Sequence, residues 1–344
     1  MTDLSAIQRP TVLVVDDEPL NLQVVRSMLH TDYRLVFAKD GRSALALASA
    51  AAPDLVLLDV MMPGMTGYEV CRELKSQELT RYVPVIFATA LADEANEELG
   101  LACGAVDYVA KPLNAGILRA RIRTHLSLVR MEELQATRLQ AIRCLGAAAE
   151  YKDNETGMHV VRMSHYAHLL ALASGYGPAE ADDLLHAAPM HDIGKIGIPD
   201  AILQKPGSLT PDERTVMMAH PVIGADILGN HPSRLFQLAR TIALTHHEKW
   251  DGSGYPHGLA GADIPLVGRI VALADVFDAL TSVRPYKPAW PVEEAMAWIQ
   301  SQSGSHFDPT LVELLQQNLP RVLEIKAQFG DDAADIVVLD SEDH

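Results

Sequence analysis

Five short apolar runs recur along the first 113 residues, and each is followed by a stretch with helical patterning. They are VLVVD (Val12 to Asp16), LVFA (Leu35 to Ala38), LVLLD (Leu55 to Asp59), PVIFAT (Pro84 to Thr89) and VDYVA (Val106 to Ala110). Five such β–α repeats predict a five-stranded parallel sheet, doubly wound and covered by helices on both faces. Ligands of such sheets sit at the carboxyl ends of the strands. The polar residues fall there: Asp16 and Asp17 end the first strand, Asp59 the third and Thr89 the fourth, and Lys111 follows the fifth. Three crowded carboxylates repel one another and favour a divalent ion such as Mg2+. A lysine and a hydroxyl beside them can hold phosphoryl oxygens, and an aspartate can accept a phosphoryl group. The competing reading is that Asp16 and Asp17 only cap a helix whose first turn holds Pro19. Five polar residues in order at strand ends outweigh it.

The motifs DD (Asp16, Asp17), LLDVMMPGMTG around Asp59, ATA at Thr89 and KP (Lys111, Pro112) resemble the receiver domain of two-component response regulators. The resemblance covers about Thr11 to His125, within a domain placed at residues 10–125. It implies a flavodoxin-like α/β fold and phosphorylation of Asp59 by a cognate sensor histidine kinase. It also implies Mg2+ held by Asp16, Asp17 and Asp59, and a switch made by Thr89, Tyr108 and Lys111.

From Ala115 to about Ala149 there are only helix formers, without a Gly-Pro break. Leu118, Ile122, His125, Leu126 and Val129 recur at helical spacing, and Leu139, Ile142 and Leu145 form a weaker row. This predicts one long connecting helix, or two nearly continuous ones. Such a helix can transmit motion between domains and form a homodimer as a short coiled coil; alternatively it packs only on its own domains.

Beyond Tyr151 strand patterning fades, and helical runs are expected at His159 to Ala173, Ala179 to His191, Pro211 to Leu228, Leu235 to His247, Val267 to Leu280, Val292 to Ser301 and Leu311 to Phe329. Ten of the fourteen histidines lie between His159 and His257. With carboxylates among them and no cysteine pattern, they predict a nitrogen/oxygen metal site. Glu155 and His159 share a helix face if helical. His191 and Asp192 are adjacent, as are His246 and His247. His220, followed by Pro221, reads as lying near the end of a helical turn, and Asp275 lies in ADVFDALT, three residues before Asp278. The isolated His165, His168, His186 and His231 are read as ordinary core or surface residues. Eight candidate ligands exceed what one ion needs, so two or three divalent ions are expected, with iron, manganese, nickel and zinc all compatible. Such ions activate water at neutral pH and clamp phosphate oxygens. Lys195 is placed to neutralise the phosphate or the leaving group. Lys205, Arg284 and Lys287 are further phosphate candidates, Lys205 reading better as a surface charge. Pro189 is expected to kink its helix just before His191.

HDIGK (His191 to Lys195), HHEKWDGSGYP (His246 to Pro256) and ADVFDALTSVRPYK (Ala274 to Lys287) resemble the HD-GYP branch of the HD phosphohydrolases, with AHP at His220 and the earlier Glu155 and His159 also matching. The resemblance covers a helical domain over residues 145–330. It implies hydrolysis of cyclic di-GMP to linear pGpG or GMP. By it, His191, Asp192, His220, His246, His247 and Asp275 are metal ligands with Asp192 bridging, and Glu155 and His159 belong to a third metal. His191, Asp192 and Lys195 carry catalysis. Arg284 and Lys287 contact substrate phosphate, Gly254 and Tyr255 of the signature loop also bind substrate, and Asp153 contacts a guanine. The alternatives are a cyclic di-GMP receptor or adaptor with little turnover, and an HD phosphohydrolase of another nucleotide.

With 28 basic and 45 acidic residues the net charge is −17, which disfavours indiscriminate binding to DNA or an anionic membrane. Three scattered cysteines, no signal-peptide pattern and no uninterrupted apolar span predict a cytoplasmic protein without membrane insertion. The acidic segment from Asp331 to His344 is expected to be mostly disordered.

Overall fold

The computed structural model describes residues 9–90, 102–152, 157–283 and 288–330. The chain divides into two compact units, Met1–Gln135 and Ala136–His344.

The first unit is built on strands β1 (Thr11–Val15), β2 (Arg34–Ala38), β3 (Leu55–Asp59), β4 (Val85–Thr89) and β5 (Asp107–Ala110). They form one parallel sheet in the order β2-β1-β3-β4-β5. Strands β1, β3 and β4 are buried along their whole length, which is why they read as continuous apolar runs rather than alternating ones. Alternate residues feed two cores. Leu13, Val15, Val56, Leu58 and Phe87 pack on one face, and Val12, Val14, Leu55, Leu57 and Ile86 on the other. Helices Pro19–Leu29, Gly41–Ala51 and Gly67–Ser76 return the chain between strands. The last begins with a capping box, in which the Thr66 side chain accepts from the Glu69 N–H and Glu69 reaches back to Thr66, satisfying two helix-terminal donors reciprocally.

Ala115–Lys152 is a single helix of 38 residues. It contributes Leu118, Ile122 and Leu126 to the first unit's core and Ile142 and Ala149 to the second's.

The second unit is helical. Gly157–Ala173 packs against Leu266–Thr281, and the helices Pro178–Ala187 and Arg234–Thr245 join the same core around Tyr166, Leu170, Ile242, Ile270 and Phe277. Three expectations change here. The helix ahead of Pro189 stops at Ala187 instead of kinking, and 3-10 turns at Ala188–Met190 and Ile193–Gly197 follow, because proline lacks the N–H that would continue the ladder. The run Pro211 to Leu228 is two helices, Pro211–Met217 and His220–Leu228, and Leu311 to Phe329 belongs to Pro309–Gln317 and Leu319–Gln328. In each case the second helix carries a proline in its first turn, where the missing N–H costs nothing. His220 therefore opens a helix rather than ending one.

Candidate phosphoacceptor and metal sites

At the carboxyl edge of the sheet, Lys111 donates from Nζ to Asp16 Oδ2 and to Asp59 Oδ2, each at 2.7 Å. Asp16, Asp17 and Asp59 bring carboxylate oxygens within 4.8 Å of one another. Burial pushes the Asp59 carboxyl above its ordinary range against the opposing pull of Lys111. Asp16 also accepts from the Glu18 N–H at 2.9 Å and from Asn21, so it shapes the turn into the first helix as well as facing Asp59. Glu18, not either aspartate, holds that helix's N-cap position, and it makes no side-chain cap bond. Thr89 is buried, its carbonyl accepts from the Lys111 N–H at 2.7 Å, and Tyr108 is half-buried one strand away. Gly67 closes the loop after β3: a Cβ there would lie 2.2 Å from the Asp59 carbonyl oxygen.

In the second unit two groups of metal-type donors adjoin. Asp192, His220, His246 and His247 form one, and His159, His191 and Asp275 the other. Neighbours in sequence, His191 and Asp192, link them. Asp192 Oδ1 lies 3.1 Å from His220 Nε2 and 3.2 Å from His246 Nε2, while its Oδ2 lies 3.3 Å from His191 Nε2 and 2.8 Å from Lys195 Nζ. The carboxylate thus faces both groups at once.

Backbone carbonyls decide which ring nitrogens face the centre. His191 Nδ1 lies 3.1 Å from the Ala188 oxygen, His220 Nδ1 2.8 Å from Met217, and His246 Nδ1 3.0 Å from Ala243. A carbonyl only accepts, so each Nδ1 carries the proton and donates it. The three Nε2 lone pairs are then turned toward Asp192 and one another, His220 and His246 at 3.5 Å. Burial holds His246 below its ordinary value and His247 well below it, with neighbouring imidazoles adding, so these rings stay neutral. Burial alone would raise Asp192, but the Lys195 ammonium outweighs it and holds the carboxyl well below its usual range. Neutral lone pairs crowded about an ionised carboxylate repel unless a cation lies between them, so these residues fit divalent metal.

His159 is held differently. Its Nδ1 donates to Asp278 Oδ2 at 2.8 Å, and its Nε2 faces Asp275 Oδ1 at 3.3 Å. Burial would lower this ring, but Asp275 and Asp278 push it up to about 10. Without metal a proton therefore sits on Nε2, in the place a cation would take against Asp275.

Glycines bring the elements close enough. A Cβ on Gly194 would fall 1.9 Å from the His220 carbonyl oxygen, and one on Gly268 2.2 Å from Thr245 Oγ1. Gly254 sits against the backbone of His247 to Lys249, where a Cβ would lie 2.3 Å from the Lys249 nitrogen. The Tyr255 ring stacks on His247 at 4.7 Å between centroids, and its N–H donates to the His247 carbonyl.

Sequence reading gives no role to three residues. Asp278 orients His159; Arg162 donates to Asp278 from Nε at 2.8 Å and Nη2 at 3.0 Å. Buried Glu248 accepts from the His257 and Leu259 N–H groups at 2.8 and 3.0 Å and shapes the signature loop. A second carboxylate one helical turn beyond Asp275, and the acid directly after His246-His247, were the available signals. His165, His168, His186 and His231 belong to neither donor group, and Lys205 pairs with Glu213 at 2.6 Å. Asp153, Glu155, Arg284, Lys287 and the segment from Asp331 lie outside the described residues.

An aspartate pocket on a doubly wound sheet, followed by a helical histidine/carboxylate site, defines a response regulator with an HD-type output domain. The family described as response regulator receiver domain matches residues 12–123, and the family described as HD domain matches residues 142–311. A Vibrio cholerae protein named probable cyclic di-GMP phosphodiesterase is 41% identical over 98% of this chain and 83% of its own length. The cyclic di-GMP phosphodiesterase response regulator RpfG of Xanthomonas campestris is 38% identical, covering 94% of this chain and 91% of its own. A Vibrio cholerae protein named 3'3'-cGAMP-specific phosphodiesterase 2 is 40% identical over 76% of this chain and 51% of its own. The chain belongs to the family of cyclic di-GMP phosphodiesterase response regulators. No helix among the described residues is long and apolar enough to cross a membrane.

Proposed function

We propose that the second unit hydrolyses cyclic di-GMP, under control of phosphorylation at Asp59 in the first. The observation that carries the reading is the Asp192 carboxylate, which faces His220 and His246 with one oxygen and His191 and Lys195 with the other. His191, Asp192, His220, His246, His247 and Asp275 would hold two divalent ions, with Glu155 and His159 for a third; iron, manganese, nickel and zinc suit these donors. Bound there, the ions supply an activated water and charge that stabilises the phosphate. The chain's own residues prepare the rest. Carbonyl-anchored Nδ1 protons fix the lone pairs of His191, His220 and His246. Lys195 places its ammonium beside Asp192, within the site, to neutralise the phosphate or the departing oxygen. Tyr255 stacks on His247, while Gly254 admits the loop's close packing. Arg284, Lys287 and Asp153 are proposed substrate contacts.

In the receiver, Asp16, Asp17 and Asp59 hold Mg2+, and a sensor histidine kinase supplies the phosphoryl group. Phosphorylation converts the Asp59 carboxylate, with one charge, to an acyl phosphate carrying about 1.5 to 2, a net gain of roughly 0.5 to 1 negative charge, and adds phosphoryl oxygens. These draw Lys111 and Thr89, reorient Tyr108 and act on the helix that begins at Ala115. That helix is also the proposed homodimer contact.

Anaerobically purified protein loaded separately with Fe2+, Mn2+, Ni2+ or Zn2+ and offered cyclic di-GMP, 3'3'-cGAMP and pGpG tests this. Metal-dependent formation of pGpG or GMP from cyclic di-GMP, lost in His191→Ala, supports the enzyme. Preference for 3'3'-cGAMP moves the substrate, and tight cyclic di-GMP binding without turnover under any loading moves the reading to a receptor. Stimulation by acetyl phosphate that persists in Asp59→Asn overturns the coupling.

A further inference from the structure

Within the second unit lies a cavity of about 500 Å³ whose lining includes none of the metal-type donors. Ala147 of the connecting helix, Met158 and Val161 of the following helix, Leu185, Pro189 and Phe329 give it apolar walls. Met158, Val161 and His165 recur at three- and four-residue spacing, so they share one flank of their helix. His159 and Arg162, which meet Asp278, fall on another. One helix therefore serves the metal-type site with one flank and the cavity with another. The volume is that of an ordinary small-molecule site, roughly 300 to 1,000 Å³.

Arg143 lines the same cavity. In a chain with 45 acidic residues, its guanidinium has no carboxylate partner among the described residues. By contrast Arg121, Arg162 and Arg269 are paired with Asp107, Asp278 and Asp308. His165 lines the cavity too, stacked on Phe329 with centroids 4.5 Å apart. Burial, His168 and Arg143 lower the His165 imidazole, so near neutral pH it adds a polar ring and no charge. His186, close enough to feel the same guanidinium, has a buried Nδ1 without a hydrogen-bond partner. An apolar body and a single cation complement an apolar organic anion.

We propose that this cavity binds an apolar monocarboxylate, its body against Met158, Val161, Leu185 and Pro189 and its carboxylate on Arg143. The site is placed to influence the metal ligands. Gly146 packs so closely on Pro189 that a Cβ would lie 2.4 Å from the Pro189 oxygen, and the neighbouring Ala188 carbonyl accepts the Nδ1 proton of His191. A ligand between Ala147 and Pro189 bears on the turn that orients His191.

The test uses the full chain and a binding readout that does not depend on turnover. 8-Anilinonaphthalene-1-sulfonate fluorescence reports occupancy, and decanoate and the uncharged decan-1-ol compete for it. The expected result is saturable binding of one probe per chain and displacement by decanoate. Arg143→Gln should weaken decanoate roughly tenfold or more, the loss of one charge-assisted contact, with little change for decan-1-ol. Val161→Trp should block both while the melting temperature and metal content stay near wild type. Absence of saturable displacement in the wild type, or equal decanoate affinity in Arg143→Gln, overturns the proposal. Because Arg143 is exposed, that variant tests the idea even if Val161→Trp fails to fold.

Discussion

His159 Nδ1 and Asp278 Oδ2 lie 2.8 Å apart with both side chains buried, although 119 residues separate them in sequence. Asp278 in turn takes both Nε and Nη2 of Arg162, whose Nη1 reaches the Phe329 carbonyl. A carboxylate behind a metal-facing histidine fixes the ring's orientation and its tautomer. Asp278→Asn should therefore keep the fold and lower metal affinity at the His159 group by about 10- to 100-fold, read as metal content after graded chelation. Asp278→Ala should also destabilise the second unit by about 3–5 kcal/mol, since it leaves the buried Arg162 with neither counter-ion nor acceptor at that position, whereas Asn keeps one acceptor oxygen. Urea denaturation of the two variants separates these effects, and equal stability would remove Arg162 from the account.

Glu248 makes a different kind of prediction. Its two carboxylate oxygens take the N–H groups of His257 and Leu259, tying the loop after Tyr255 back to the residue that follows His247. Glu248→Gln replaces one acceptor with a donor facing an N–H, a mismatch costing about 1–3 kcal/mol. The expected outcome is faster proteolytic cleavage between Gly252 and Ala260 and a raised KM for cyclic di-GMP, with metal content retained. Unchanged cleavage would show that the loop holds itself.

What could be read from the chain follows from range. The sheet was legible because each buried strand is a compact apolar run and its functional residue sits at the end of that same run, as Asp59 does after Leu58. The donor groups were legible because His191-Asp192 and His246-His247 are pairs in sequence before they are pairs in space. Asp278 and Arg162 were not, since their roles exist only once distant elements meet: Arg162 reaches Asp278 across 116 residues; Glu248 binds only 9 and 11 residues away, within an irregular loop that follows no spacing rule. Helix breaks at Ala219 and Asn318 escaped notice although Pro221 and Pro320 marked them, because a proline in a first turn leaves the apolar spacing on either side intact. The cavity beside Arg143 is assembled from four separated segments and has no signature in any of them.

His306 gives the pH dependence. Burial, then Lys249, lowers its imidazole to about 4, while the unfolded chain titrates it near its ordinary value of about 6.5. Between these values the unfolded state binds the proton and the folded state does not. Stability from this group is therefore complete above about pH 6.5 and is lost as pH falls toward 4. The ring is stacked on Phe307 at 4.2 Å, so His306→Gln should lower stability at pH 7.5 through lost packing but flatten its decline between pH 6.5 and 4. Histidine resonances followed by NMR should show the wild-type ring titrating well below 6; a value near 6.5 would refute the burial argument.

Gly194 ties the HD motif to His220 by contact of backbone on backbone. A Cβ there would lie 1.9 Å from the His220 oxygen and 2.6 Å from the Gly224 nitrogen, and neither atom can rotate away. Gly194→Ala must push the turn holding Asp192 and Lys195 off the start of the His220 helix. Overpacking of this kind costs about 1–3 kcal/mol, and the displacement separates Asp192 Oδ1 from His220 Nε2, now 3.1 Å apart. The expected variant folds with a lowered melting temperature and loses metal at the Asp192 group before the His159 group. Gly177→Ala is the control: φ is −67° and the nearest atom to the added Cβ is 3.7 Å away, so it should behave as wild type. If Gly194→Ala bound metal with wild-type affinity, the close approach would be a packing detail rather than the device that sets His220 against Asp192.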